Sequence, residues 1–250
     1  MRRSHLLVTA VSAAILLAAS AAAAGSASAA TASPAPRASA SASAAAVVLT
    51  TKTHTKPRPK GFTKFSYQTG VISGTAASAA SLKKMNEVLA KDVKDSVFTA
   101  RTTINGPCMA GTKRCGSFIL TLAAPSCLTG YVCIAETNAL LPPGANGTDE
   151  GVNTLVFDEK TGDNVGLGTF VSEKQTDAFL KAVNAGITAA LVKGNIDATS
   201  KIWKPNVRLQ DVNGWIATPE GMHLYFSKYA VAPGSFGVVD FTVPWSAIKA

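Results

Sequence analysis

The sequence predicts an α+β fold, an antiparallel sheet packed with two main helices. Three observations carry that expectation. Short runs alternate apolar and polar residues with the period of two that suits a strand with one buried face. Two longer stretches, after residues 78 and 172, repeat apolar residues at spacings of three and four, the period of an amphipathic helix. Many of the strand-like runs follow one another through short turns, the pattern of an antiparallel sheet.

The elements follow in order. Met1-Arg2-Arg3-Ser4-His5, an apolar run over 6–24 and the small-x-small site Ala27-Ser28-Ala29 predict a signal peptide over 1–29. The run approaches the roughly 20 residues that span a bilayer. Its alanine content partitions weakly, so no stable membrane insertion is expected once the signal is cleaved. Residues 30–64 read as a tether, first Ala/Ser/Pro-rich and disordered, then basic and extended through "TKTHTKPRPKGFTK". A single domain is expected over 65–250.

That domain opens with a strand over 65–72. Leu82, Met85, Leu89 and Val93 then form one face of a helix running from 78 to about 97, with lysines on its other sides. Strands are predicted over 117–124, 130–141 and 152–158, the last entering a Glu-Lys-Thr-Gly turn that ends at Gly162. Ser172 and Gln175 stand at capping-box spacing before a second helix, whose buried stripe is Phe179, Leu180, Val183, Ile187 and Leu191; Gly194 is placed to stop it. Thr218-Pro219-Glu220-Gly221 suits a type I turn joining 215–217 to 222–227 as a hairpin. Met222, Leu224 and Phe226 should face inward there, and His223, Tyr225 and Ser227 outward. A last strand alternates Val239, Phe241, Val243 and Trp245 against Val238, Asp240 and Thr242.

The net charge of +9 belongs to the leader and tether. Eight of the 24 basic residues and none of the 15 acidic ones precede Phe65, which leaves the domain near balance. A nucleic-acid-binding domain, which carries its basic patch on the fold itself, is therefore disfavoured. Cys108, Cys115, Cys127 and Cys133 make an even set in an exported chain, which reads as two disulfides. Three pairings are possible. Cys108–Cys115 with Cys127–Cys133 is preferred because each closes a short loop, at about 2–3 kcal/mol of chain restriction apiece. Their spacings do not fit a structural zinc site, and no metal or other cofactor is expected.

A catalytic set is hard to assemble. His223 is the one histidine in the domain expected over 65–250. "GVISG" (70–74) and "PGSFG" (233–237) both lack nucleophile-elbow spacing. A His223–Asp240 pair across neighbouring strands is geometrically accessible. No catalytic residue is assigned; a small secreted hydrolase using His223 is the alternative reading.

"GANG" (144–147), "TLVFDEKTGDNVGLGTF" (154–170) and "TPEGMHLYFSKYAVAPGSFGVVDFTVPWSAI" (218–248) carry a family resemblance. They are similar to the extracellular domain of the RsiV anti-sigma factor family, whose outer part binds lysozyme. Similar modules stand beside peptidoglycan-deacetylase domains and in mycobacterial secreted immunogenic proteins. The pattern is met at Phe157, Asp158, Thr161, Gly162, Gly221, Tyr225, Phe226, Tyr229, Ala232, Pro233 and Gly237. A strand ending near Gly74, followed by a helix carrying Asn86, fits its first half more loosely. Asn146 stands where the family has a Gly-Ala-His segment, and the cysteines are an addition. With only five residues ahead of the apolar run, anti-sigma signalling is not expected. The resemblance implies a secreted, non-catalytic binding module, extracellular or wall-associated, whose partner is a lysozyme-like protein or a cell-wall polymer. Tyr225, Tyr229 and Phe236, with His223, are the candidate contacts, since exposed aromatics give large contact area at small entropic cost.

Overall fold

The computed structural model describes residues 48–74, 77–104, 108, 115–193 and 206–249. The expected signal peptide, the first part of the tether and the Gly194 helix stop lie outside them. Among the described residues are eight strands in two sheets and two main helices. The first sheet runs β1 (Val48–His54), β2 (Phe62–Ser73), β3 (Gly116–Ala123), β4 (Tyr131–Leu141) and β5 (Asp149–Asp158), side by side in chain order. The second comprises β6 (Gly214–Ala217), β7 (Gly221–Phe226) and β8 (Val239–Pro244).

The antiparallel expectation holds at every pairing but one. β2 and β3 run parallel. A parallel pair needs a long crossover, and the first helix, α1 (Ala79–Thr103), supplies it. Ser78 caps α1 by accepting from the Ser81 amide at 3.0 Å. The helix runs past the expected end near residue 97 because Val97 and Ala100 continue the buried stripe of Met85, Leu89 and Val93. Asn86 fixes its position on the sheet: its Oδ1 accepts from the Ile72 amide at 2.7 Å and its Nδ2 donates to the Ile72 carbonyl at 2.9 Å.

The tether expected over 30–64 is corrected at its C-terminal end. Val48–His54 is an edge strand paired with β2 along its whole length, so the fold starts well before Phe65. Val48 and three threonines favour extended backbone. The His54 ring stacks on Tyr67 at 4.9 Å, and its Nε2 lies 2.9 Å from Thr69 Oγ1. Phe62, assigned by the sequence to the tether, is buried in the core.

Alternation along β4 and β5 divides the interior into two clusters. Val132, Ile134, Leu155 and Phe157 join α1 and the first sheet, whereas Cys133 and Val156 face a second cluster with α2 (Thr176–Lys193) and the three-stranded sheet. Gln175 accepts from both the amide and the hydroxyl of Ser172 ahead of α2, as the spacing predicts. Phe179, Val183, Ile187 and Leu191 are buried, and Leu180 is half-buried beside them. Both short-loop disulfides, Cys108–Cys115 and Cys127–Cys133, are formed.

Candidate functional site

The four sequence candidates do not converge on one place. His223 and Tyr225 lie on the outer face of β7, while Met222, Leu224 and Phe226 are buried. The β7–β8 register sets His223 opposite Thr242 and Tyr225 opposite Asp240. His223 Nε2 is 3.2 Å from Asp240 Oδ2, its Nδ1 is 2.9 Å from Thr242 Oγ1, and its ring packs edge-on to Tyr225 at 4.6 Å. Burial raises the Tyr225 phenol above its ordinary pKa, and the Asp240 charge adds to the effect. Phe236 is half-buried and packs against the second core cluster.

Tyr229 stands apart, half-exposed in the connection after β7 with its backbone at φ 69°. Its ring lies on Gly234, where even a Cβ would come within 2.1 Å of it. Beside it begins a groove that passes between this connection and α1 as three adjoining hollows of about 570, 340 and 250 Å³. The first is walled by Asn146, Asp149, Lys228, Tyr229 and Ser235. The second crosses the half-buried ends of β4 and β5 at Asn138, Glu150, Gly151 and Asn153. The third runs under α1, against Asp92, Asp95, Ser96 and Thr99.

Hydrogen bonds brace this groove. The Lys228 amide donates to the Glu150 carbonyl at 2.9 Å, and its Nζ donates to the Thr148 carbonyl at 2.6 Å. Thr148 donates in turn to Glu150 Oε1 at 2.7 Å. Lys228, the one lysine lining the groove among the described residues, is thus held against the loop between β4 and β5. Under α1, Asn153 Nδ2 donates to both Asp92 oxygens, at 3.1 and 3.0 Å. Lys91 pairs with Asp95 at 2.7 Å across an exposed turn.

Behind Ser96 lies Glu136, 2% exposed. Its Oε1 accepts from the Ser96 hydroxyl at 2.5 Å, while Oε2 has no partner among the described residues. Burial pushes its pKa up to about 7, opposed by the Ser96 bond and reinforced by the Asp92 charge. Burial likewise raises Asp92, opposed by Asn153 and reinforced by Asp95. Carboxylates outnumber ammonium groups along the groove. It can therefore receive cationic or hydrogen-bond-donating groups; at one end the Tyr229 ring is already engaged by Lys228, whose Nζ lies over it at 5.5 Å.

Of the sequence candidates, Tyr229 alone lines this groove. Asp92 and Asp95 fall within the predicted first helix and Glu136 within the strand predicted over 130–141, and no sequence signal singles them out. Asn146 and Gly147 of the "GANG" segment also line the groove. Among the described residues no group of three or more His, Cys, Asp or Glu could hold a metal ion.

Comparison with known proteins agrees with this architecture. No curated protein matches the chain. Among solved structures, a DUF3298 family protein from Pseudomonas aeruginosa PAO1 is similar at a TM-score of 0.58 and 14% identity, covering 82% of this chain and 93% of that one. A DUF3298 family member from Bacteroides fragilis NCTC 9343 is similar at 0.56 and 8% identity, with the same coverages. At such identities the likeness is one of fold. Residues 170–246, from the approach to α2 to the end of β8, match the family described as "Protein of unknown function (DUF3298)", on a fold that solved DUF3298 proteins share.

Proposed function

We propose that this chain is an exported, non-catalytic binding protein of the cell envelope whose groove recognises a lysozyme-like basic protein. The observation that supports this reading most is the placement of charge. The chain from Val48 onward is basic, with 21 Lys and Arg against 15 Asp and Glu, yet Asp92, Asp95, Asp149 and Glu150 line one groove in which Lys228 is tied to the adjacent loop. A local acidic surface steers and orients a basic partner even on a chain of net positive charge. The two disulfides are compatible with an extracellular location, as is the absence, among the described residues, of any helix long and apolar enough to cross a membrane.

Titration calorimetry with hen lysozyme and with purified peptidoglycan tests the reading. Lysozyme should bind saturably and more weakly at higher salt. Asp149→Asn and Asp92→Asn should each weaken it about fivefold, near 1 kcal/mol. Binding of peptidoglycan alone would move the assignment to a wall polymer, and no heat with either would remove it.

The second reading, a small hydrolase, has its own observation: His223 lies between the Asp240 carboxylate and the Thr242 hydroxyl. Against it, all three residues stand on one sheet face whose His223–Thr242 register is an ordinary ladder pair. Cross-strand side-chain pairing accounts for the contacts. On the binding reading, wild type and His223→Ala show the same absence of turnover on ester and glycan substrates. Turnover abolished by His223→Ala would establish the hydrolase instead.

A further inference from the structure

The two flanks of α1 differ in chemistry. Asp92, Asp95, Ser96 and Thr99 face the groove. On the other flank a hollow of about 360 Å³ lies between α1 and β2, floored by Val93, Val97 and Tyr67. Phe98, 66% exposed, stands at its edge, and among the described residues no acidic one lines it. Its charged groups are Lys94 and Arg101.

Spacing makes this one surface. Lys94, Val97, Phe98 and Arg101 sit at i, i+3, i+4 and i+7, a single stripe on a helix. The two cations are thus about 10 Å apart along the axis with apolar side chains between them. The Arg101 guanidinium is placed over the Phe65 ring at 5.3 Å. That ring in turn packs edge-on to Tyr67 at 5.9 Å. Arg101 therefore offers a positioned fork of donors at one end, the geometry that suits a carboxylate. At the other end the Lys94 methylene stem can cover apolar surface while its ammonium stays in water.

We propose that this hollow binds a single-chain anionic amphiphile, an alkyl chain ending in a carboxylate. The carboxylate engages Arg101, and the chain lies over Val93 and Val97 against Phe98 and Tyr67. Charge complementarity sets the head group, because the lining carries positive charge only. The volume, at the lower end of the range for small-molecule sites of roughly 300–1,000 Å³, sets the occupant as one chain. Such binding would cover Phe98, whose exposed ring is costly to leave in water beside other apolar groups. The site lies on the opposite flank of α1 from the groove and stands whether or not the groove binds a basic protein.

Laurate below its micelle concentration is the probe, titrated into the full chain by calorimetry. It should saturate at one equivalent. Dodecyl maltoside, with the same chain and an uncharged head, should bind at least tenfold more weakly, and acetate should give no heat. Arg101→Gln and Phe98→Ser, both at exposed positions, should each weaken laurate at least fivefold while the far-ultraviolet circular dichroism spectrum stays that of wild type. Equal affinity for laurate and dodecyl maltoside would overturn the proposal. So would unchanged affinity in Arg101→Gln, or binding to phosphatidylglycerol vesicles with none to monomeric laurate.

Discussion

At Glu136 two requirements conflict. The side chain is buried beside the Asp92 carboxylate, while its one hydrogen-bond partner among the described residues is the Ser96 hydroxyl. A buried carboxylate with an unpaired oxygen favours its protonated form. Its pKa therefore rises from 4.5 to about 7 in the folded chain. The sign follows from proton binding. Between these two values the folded state holds more protons than the unfolded one, so stability falls as pH rises across that window and levels off above it. The neutral amide of a Glu136→Gln variant would imitate the protonated form. The variant should match wild type near pH 4 and exceed it at pH 8 by up to about 3 kcal/mol. Urea unfolding at both pH values checks this, and an equal difference at the two would contradict it. The faces on which His223 and Tyr225 lie were legible from strand alternation alone, as was the chance of a His223–Asp240 contact. Glu136 was not legible, since nothing along β4 announces that Ser96 will cover it.

Among the elements, α2 depends on a close approach that its apolar stripe does not advertise. A Cβ at Gly186 would lie 2.2 Å from the Phe241 ring of β8. Phe241 stacks in turn on buried Phe226, with centroids 6.0 Å apart, and cannot simply move back. Gly186→Ala should gain about 1 kcal/mol of helix propensity. Overpacking of about 1–3 kcal/mol opposes it. The variant should therefore be less stable by roughly 1 kcal/mol, read as a lower urea midpoint; a raised midpoint would show that β8 yields. α1 shows how one helix serves two surfaces. Its buried stripe was legible as far as Val93, but which side would meet the groove and which the apolar hollow depended on where β2, β4 and β5 pass beneath it.

For the whole molecule, the boundary of the fold matters most. A chain beginning at Phe65 lacks β1 and Phe62, leaving β2 as an open edge and a gap in the first core cluster. Losing a buried phenylalanine alone costs about 3–5 kcal/mol, and an unpaired edge invites association. A chain beginning at Val48 should unfold cooperatively, whereas one beginning at Phe65 should be destabilised by at least that amount or aggregate. Comparing their unfolding curves and their sedimentation decides the point.

Features that depend on near neighbours are legible in the chain alone: the helical stripes, the helix start at Ser78, the capping at Ser172, the β6–β7 turn, and the short cystine loops. These rest on periodicity and on contacts a few residues apart, which a linear reading contains. The tertiary structure alone decided that Val48–His54 would be a strand, because a strand of threonines and lysine has no core of its own and exists through its ladder with β2. It alone also assembled the groove. Asp92, Asn138, Asn153 and Lys228 come from a helix, two strands and a turn, and their shared surface follows from how those elements pack, which no local pattern encodes.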